Sequence, residues 1–229
     1  MANSYLSHTT STPTNSDKAT LSFWLKRSLL SSGRGVFAQD TDGNDKFAFI
    51  LGSNDTISIF QETAGTVDIN LVTNRKFRDV SAWYHIVVAY DSSQGSASDR
   101  VKLYVNGSQE TSFSTSTYPS SNVDFRFNKS GIAQEIGRYE GGNYFDGYLS
   151  HVAFVDGSVV APTVFGETDS TSGIWKFKSP SGVTWGTNGF HLKFENSGNL
   201  GLDSSGNSNT FTVNGDGRQA LDTPTNVHA

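Results

Sequence analysis

The sequence predicts an all-β fold, a sandwich or barrel of antiparallel strands, on three observations. Hydrophobic residues make up 35% and charged residues 17% of the 229-residue chain, with 23 glycines and one methionine, a balance that suits strands and tight turns better than helical bundles. Strand-like stretches separated by turn residues recur roughly every 8 to 12 residues, the spacing of sandwiches and barrels. Aromatic residues reach 12% and supply core area in place of aliphatic helix faces.

The elements follow in order. "MANSYLSHTTSTPTNSDKAT" is rich in Ser and Thr, and residues 1–19 are read as an N-terminal arm or edge strand that starts at Tyr5 and Leu6. In "ATLSFWLKR", Leu21, Phe23 and Leu25 alternate with Ser22, Trp24 and Lys26, the period of a strand. "GVFAQD" and "KFAFILG" flank a turn at Asp42-Gly43, which predicts a hairpin. "DTISIFQ" and "TVDINLV" follow at the same spacing, then "WYHIVVAYD" and the loop "SSQGSASD". "RVKLYVNGSQETSFS" holds Asn106-Gly107 between two alternating segments; both residues tolerate the positive φ of a type I′ turn. Later strand candidates are "VDFRF", "QEIGRY", "FDGYLSHVAFVDG", "GFHLKFE" and "NTFTVNG". Only "APTVFGE", with Pro162 placed for a first helical turn, reads as helical. No repeat and no composition shift divides residues 20–226, which are read as one domain.

Several functions are excluded early. A net charge of -5 without a basic stripe offers no footprint for nucleic acid. The absence of cysteine removes disulfides, thiolate metal sites and thiol catalysis. Residues 1–20 carry no apolar segment behind a basic one, and nowhere do 18 apolar residues run together, so neither a signal peptide nor membrane insertion is expected.

"LSFWLKRS", "VSAWYHIVVAYDSSQGSASDRVKLYVNG", "IGRY" with "YFDGYLSHVAFVDG", "FGETDSTSGIW", "GTNGFHLKF", "LDSSGNSNTFTV" and "DTPTN" together resemble a laminin-G-like domain of the concanavalin-A-like jelly-roll class. The W-x-H-[IV]-x-x-x-[YF]-D and LYVNG pair carries the broad resemblance. "FGETDSTSGIW" and "DTPTN" resemble versions found in virion proteins of tailed bacteriophages, especially of marine and cyanobacterial hosts. The resemblance implies a two-sheet antiparallel β-sandwich; function is not inherited with the fold.

The histidine of "WYHIVVAYD" is the first candidate to weigh. His85 shares one strand face with Trp83, Val87 and Ala89, while Tyr84, Ile86, Val88 and Tyr90 share the other, so the strand belongs inside a sandwich with a neutral, hydrogen-bonded histidine. Its resemblance agrees, since the family motif uses that histidine in the core. Asp91 lies about 20 Å along the strand, out of reach. His8, His151, His191 and His228 are scattered without H-x-H or H-x-x-x-H spacing, which argues against zinc.

No E-x-D-x-x-E run or other catalytic signature is present, and Glu135 and Glu140, five apart, fall on opposite strand faces; the chain is not expected to be an enzyme. "DTDGND" gathers Asp40, Asp42, Asn44 and Asp45 around a glycine, either a calcium loop or a solvated hairpin turn. "RYEGGNYFDG" collects Tyr139, Asn143, Tyr144 and Asp146 around Gly141-Gly142, either a glycan site or the start of an inward-packing strand.

Two functions of different class remain. One is a non-enzymatic virion structural protein, a capsid decoration or compact tail module that contacts other virion proteins or forms a homo-oligomer. The other is a receptor-binding module that grips host surface polysaccharide. A cellular laminin-G-like adhesin is a third, weaker reading.

Overall fold

The computed structural model describes residues 3–224. In chain order the strands are β1 (Tyr5–Thr9), β2 (Lys18–Arg27), β3 (Arg34–Asp40), β4 (Lys46–Leu51), β5 (Ile57–Thr63), β6 (Thr66–Thr73), β7 (Tyr84–Asp91) and β8 (Val101–Val105). They continue as β9 (Ser108–Glu110), β10 (Phe113–Thr117), β11 (Ala133–Ile136), β12 (Gly147–Asp156), β13 (Gly166–Thr168), β14 (Trp175–Phe177), β15 (Phe190–Leu192) and β16 (Thr212–Asn214). One sheet of eight strands has the order β10-β6-β5-β4-β3-β11-β1-β16, and a second of six has the order β15-β12-β2-β7-β8-β9. The pairings are antiparallel, and the molecule is the two-sheet sandwich expected.

Period-two alternation places Leu21, Phe23 and Leu25 of β2 and Tyr84, Ile86, Val88 and Tyr90 of β7 between the sheets. Nine further phenylalanines of the sixteen are buried with them there. Their rings meet tilted or edge to face, as in Phe23 with Phe49 (5.0 Å, 87°) and Phe37 with Phe127 (6.0 Å, 88°), the arrangement that the ring quadrupoles favour.

Both expected hairpins form. At the second, Asn106 and Gly107 take φ of 50° and 78°, and the Asn106 side chain accepts the His85 backbone N–H at 2.8 Å. Residues Pro162–Val164 make the single helical turn expected, capped by Phe165 N–H to Pro162 O.

Three expectations need correction. "VDFRF" is not a strand: Arg126–Asn128 form a 3-10 turn. Phe125 and Phe127 are buried as the alternation suggests, but the backbone has no neighbouring strand to pair with. Instead the buried side chains of Gln39 and Gln61 accept from Lys129 N and Arg126 N (2.7 and 2.9 Å) and donate to Ile132 O and Asp124 O (both 2.9 Å). The second correction is in "GSQETSFS", where the chain leaves the six-stranded sheet after Glu110 and joins the other at Phe113 beside β6. The third is in the "SSQGSASD" loop, which contains one helical turn, α1 (Ala97–Arg100).

The N-terminal segment lies within the sheet. β1 is flanked by β11 on one side and by β16 on the other, so β16 is the edge. Residues 157–189 cross the outer face of the six-stranded sheet, carrying the β13–β14 hairpin and a second apolar cluster in which Phe165, Val164, Val183 and Trp185 pack on Ala153 and Val155.

Candidate functional site

The loop "RYEGGNYFDG" sits at the rim of the eight-stranded sheet, fastened to the fold. Gly35 N donates to Asn143 O (3.1 Å) and Asn143 N to Tyr139 O (3.0 Å). A Cβ on Gly35 would fall 2.1 Å from the Tyr139 Cβ, so only glycine lets Tyr139 lie there. Tyr144 is half-buried beside Tyr5 (ring centroids 6.3 Å apart), and Arg138 covers Tyr5 at 3.6 Å. Asp146 accepts from Arg34 Nε at 3.0 Å. Phe145 packs against the inter-sheet core. Of the four residues, Asn143 alone is exposed.

The "DTDGND" carboxylates are turned on their own chain. Asp40 accepts from Gly43 N, and Asp42 from Asn44 N and Asp45 N (2.8, 3.0 and 3.1 Å). Asp45 is held below the usual carboxylate pKa, chiefly by Lys129 at 2.8 Å with help from Ala64 N and Arg126. Asn44 is exposed and its carbonyl accepts from Gly65 N of the β5–β6 turn at 3.0 Å. Among the described residues, no three His, Cys, Asp or Glu side chains converge as a metal cage would require.

His85 proves to be a junction of the recognised motifs. It is fully buried, on the face of β7 turned away from the other sheet. Trp175, from "FGETDSTSGIW", donates Nε1–H to its Nδ1 at 3.0 Å. The proton therefore sits on Nε2, which donates to Ser22 Oγ at 2.9 Å. Trp24 stacks on the ring at 4.8 Å. Burial lowers its pKa to about 3, so the ring is neutral and structural. A Cβ on Gly107 or Gly166 would fall 2.5–2.6 Å from the Trp175 ring; these glycines are the sequence signal for a covering indole.

Though scattered in sequence, His151 and His191 are neighbours, with ring centroids 5.7 Å apart. A bulge in β12 gives His151 a φ of 46° and lays its ring on Phe177 at 3.5 Å. Burial lowers both pKa values, to about 3 and about 4.

A concavity lies where the sandwich opens, between the β1–β16 edge of one sheet and the start of β12 in the other. Its volume is about 390 Å³, at the small end of ligand pockets. Leu6, Ile136, Phe145 and Leu149 supply apolar lining. Lys193, Glu195, Asn214, Arg218 and Gln219 also line it. The C-terminal segment forms one side, tied by Gln219 Nε2 to Phe194 O and Glu195 O (2.9 and 3.0 Å).

Tyr148 stands at this cavity, 41% exposed, with the Trp83 ring 6.4 Å away and Lys26 over its face at 5.9 Å. Asp222 binds the pair together, accepting from Lys26 Nζ at 2.6 Å and Trp83 Nε1 at 3.2 Å. Those two bonds hold its pKa below the usual range. Thus the first residues of "DTPTN" dock the C-terminal segment on the six-stranded sheet; Thr225 and Asn226 of that motif, and His228, lie outside the described residues. Every carboxyl with a resolved shift is lowered. Glu135 is forked by Arg138, and Glu140 lies 3.6 Å from Lys46.

Two antiparallel sheets packed face to face, with an aromatic-lined cleft at their open edge, define a lectin-like β-sandwich. The chain belongs to the laminin-G family of the concanavalin A-like lectin/glucanases superfamily, whose model matches residues 1–165. No curated protein matches it. Among solved structures it is similar to a native heptameric SAP-like pentraxin from Limulus polyphemus, with 18% identity over 69% of this chain and 72% of that one and a TM-score of 0.49. It is also similar to domain 4 of AbnA, a GH43 extracellular arabinanase from Geobacillus stearothermophilus in complex with arabinotriose, with 16% identity, 65% of each chain and a TM-score of 0.48. A third is the CBM40 of the Ruminococcus gnavus IT-sialidase bound to α2,3-sialyllactose, with 14% identity, 65% of this chain, 80% of that one and a TM-score of 0.47. No described helix is long and apolar enough to cross a membrane.

Proposed function

We propose that this protein is a non-catalytic glycan-binding module. The supporting observation is the exposed Tyr148 beside Trp83 at the mouth of a cavity whose walls carry Lys193, Glu195, Asn214, Arg218 and Gln219. A sugar ring presents an apolar C–H face to an aromatic ring and hydroxyls to charged and amide groups, and such a mixed wall suits both. Asp222 serves indirectly, fixing Trp83 and Lys26 around the tyrosine. Glycan-array screening followed by calorimetry on the best ligand tests the reading. Tyr148→Ala is expected to weaken binding at least tenfold while the melting temperature holds; a blank array for the wild-type protein overturns it.

A second reading places the module on a tailed-phage virion, where it contacts other virion proteins and further copies of itself, with host surface glycan as ligand. "FGETDSTSGIW" and "DTPTN" support this reading by their resemblance to phage virion proteins. Quantitative mass spectrometry of purified particles tests it. Many copies per capsid favour decoration, a few at the tail favour adhesion, and absence from the particle rejects both.

A further inference from the structure

Three imidazoles lie on the outer side of the six-stranded sheet, and residues 157–189 cover each of them with an aromatic ring. Trp175 is nearly parallel to His85 (18°, ring centroids 5.9 Å apart) and donates to its Nδ1 at 3.0 Å. Phe177 lies on His151 (12°, 3.5 Å), and Trp185 faces His191 (19°, 5.8 Å). β13 and β14 pair with each other and not with either large sheet, so the segment can leave without breaking a ladder of the sandwich. Its main apolar hold is the small cluster around Phe165 and Trp185.

Geometry as well as burial disfavours charge on these rings. His85 Nδ1 accepts from Trp175 while Nε2 donates to Ser22, so a second ring proton would point at the indole N–H. His151 Nδ1 is buried without a hydrogen-bond partner, and His191 lies 5.7 Å away, where a second imidazolium would be repelled. The other charged groups on this side are paired. On the sheet, Lys26 meets Asp222, Lys102 meets Asp99 and Lys193 meets Glu195; on the cover, Lys176 meets Asp169 and Glu167, and Lys178 meets Glu167. Tyr104 and Tyr148 share the outer face. Asp203 accepts from the His191 backbone N–H at 2.9 Å, and its charge only partly offsets the burial and the Lys193 charge that keep the ring neutral.

We propose that residues 157–189 are an acid-released cover, which leaves the outer face of the six-stranded sheet in mildly acidic solution while the two-sheet sandwich stays folded. Proton uptake drives the release. The rings of His85, His151 and His191 titrate at about 3, 3 and 4 under the cover and at about 6.5 once it lifts. Each therefore favours the open state about 25-fold more at pH 5 than at pH 7. Carboxylates in water titrate at about 4, so between pH 6 and 5 the histidines supply the protons.

The test is hydrogen exchange read by mass spectrometry from pH 7 to 5, with each rate corrected for the intrinsic pH dependence of exchange. The opening constant of residues 157–189 is expected to rise at least 100-fold, with a slope of about three protons between pH 6 and 5. At pH 5 the amides of β2 and β7 are expected to stay more protected than those of the segment. His85→Gln, His151→Gln and His191→Gln, whose new side chain cannot charge, are each expected to lower the slope to about two, with circular dichroism at pH 7 showing which of them fold. An unchanged opening constant or a wild-type slope below two overturns the inference. So does one opening constant shared by the segment and the core strands, since only global unfolding would then take up the protons, or a slope that no folded variant lowers.

Discussion

The two faces of the six-stranded sheet are buried in different ways. Its inner face meets the eight-stranded sheet through interlocking phenylalanines, a contact made of area and shape in which neighbouring apolar residues substitute for one another at modest cost. Its outer face carries Thr20, Ser22, Trp24, His85 and His191, and the C-terminal third of the chain covers it with paired groups: Trp175 to His85, Val160 N to Thr20 Oγ, Asp222 to Lys26 and Trp83. The family model matches residues 1–165, and the β13–β14 hairpin and the C-terminal segment that bounds the cavity lie beyond that stretch. The inner contact is thus made mainly of apolar packing, while the outer one adds specific polar contacts, on which the proposed site beside Tyr148 depends.

This contrast can be broken in four ways, from the largest effect to the smallest. Phe127→Ala, in the 3-10 turn between Phe37 of one sheet and Phe154 of the other and fully buried, is expected to lower unfolding free energy by about 3–5 kcal/mol in urea denaturation; a loss under 1 kcal/mol would mean that the inter-sheet core is not close-packed. Acid should attack the outer face first. His85, His151 and His191 have folded pKa values of about 3, 3 and 4, below the 6.5 of the unfolded chain, so the unfolded state takes up protons first as pH falls. Their contribution is complete above about pH 6.5 and is lost progressively toward pH 4, by up to about 2 kcal/mol per ring at pH 5. A melting temperature unchanged between pH 7 and 5 would contradict this.

Trp175→Phe keeps an aromatic cover over His85 but removes the N–H that satisfies Nδ1. The expected loss is about 1–2 kcal/mol, read by denaturant unfolding, and no loss would show that the indole contributes only as a lid. Calcium is expected to leave the melting temperature where chelator leaves it, because the carboxylates of Asp40, Asp42 and Asp45 already accept hydrogen bonds from their own turn and from Lys129. A rise of several degrees would instead assign the loop to the ion.

Most strands were legible because a strand with one buried face writes its period into the chain. "ATLSFWLKR", "KFAFILG" and "WYHIVVAYD" lie where alternation places them. So was the Asn106-Gly107 turn, whose positive φ values few other pairs adopt. "VDFRF" misled for a physical reason: alternation reports which side chains are buried, while a strand also needs a partner backbone, and here Gln39 and Gln61 took that role from 65 to 90 residues away.

The cavity was illegible for the same reason. Ser4, Tyr148, Lys193 and Arg218 come from four separated stretches, and none carries a local pattern that names the others. Local chemistry in the sequence determined the β class, the turns and a neutral, buried His85. Only the tertiary structure decided that His85 lies under Trp175 rather than between the sheets, and that the sandwich opens into a cleft beside Tyr148, because both depend on where the C-terminal third crosses the outer face, and long-range packing sets that path.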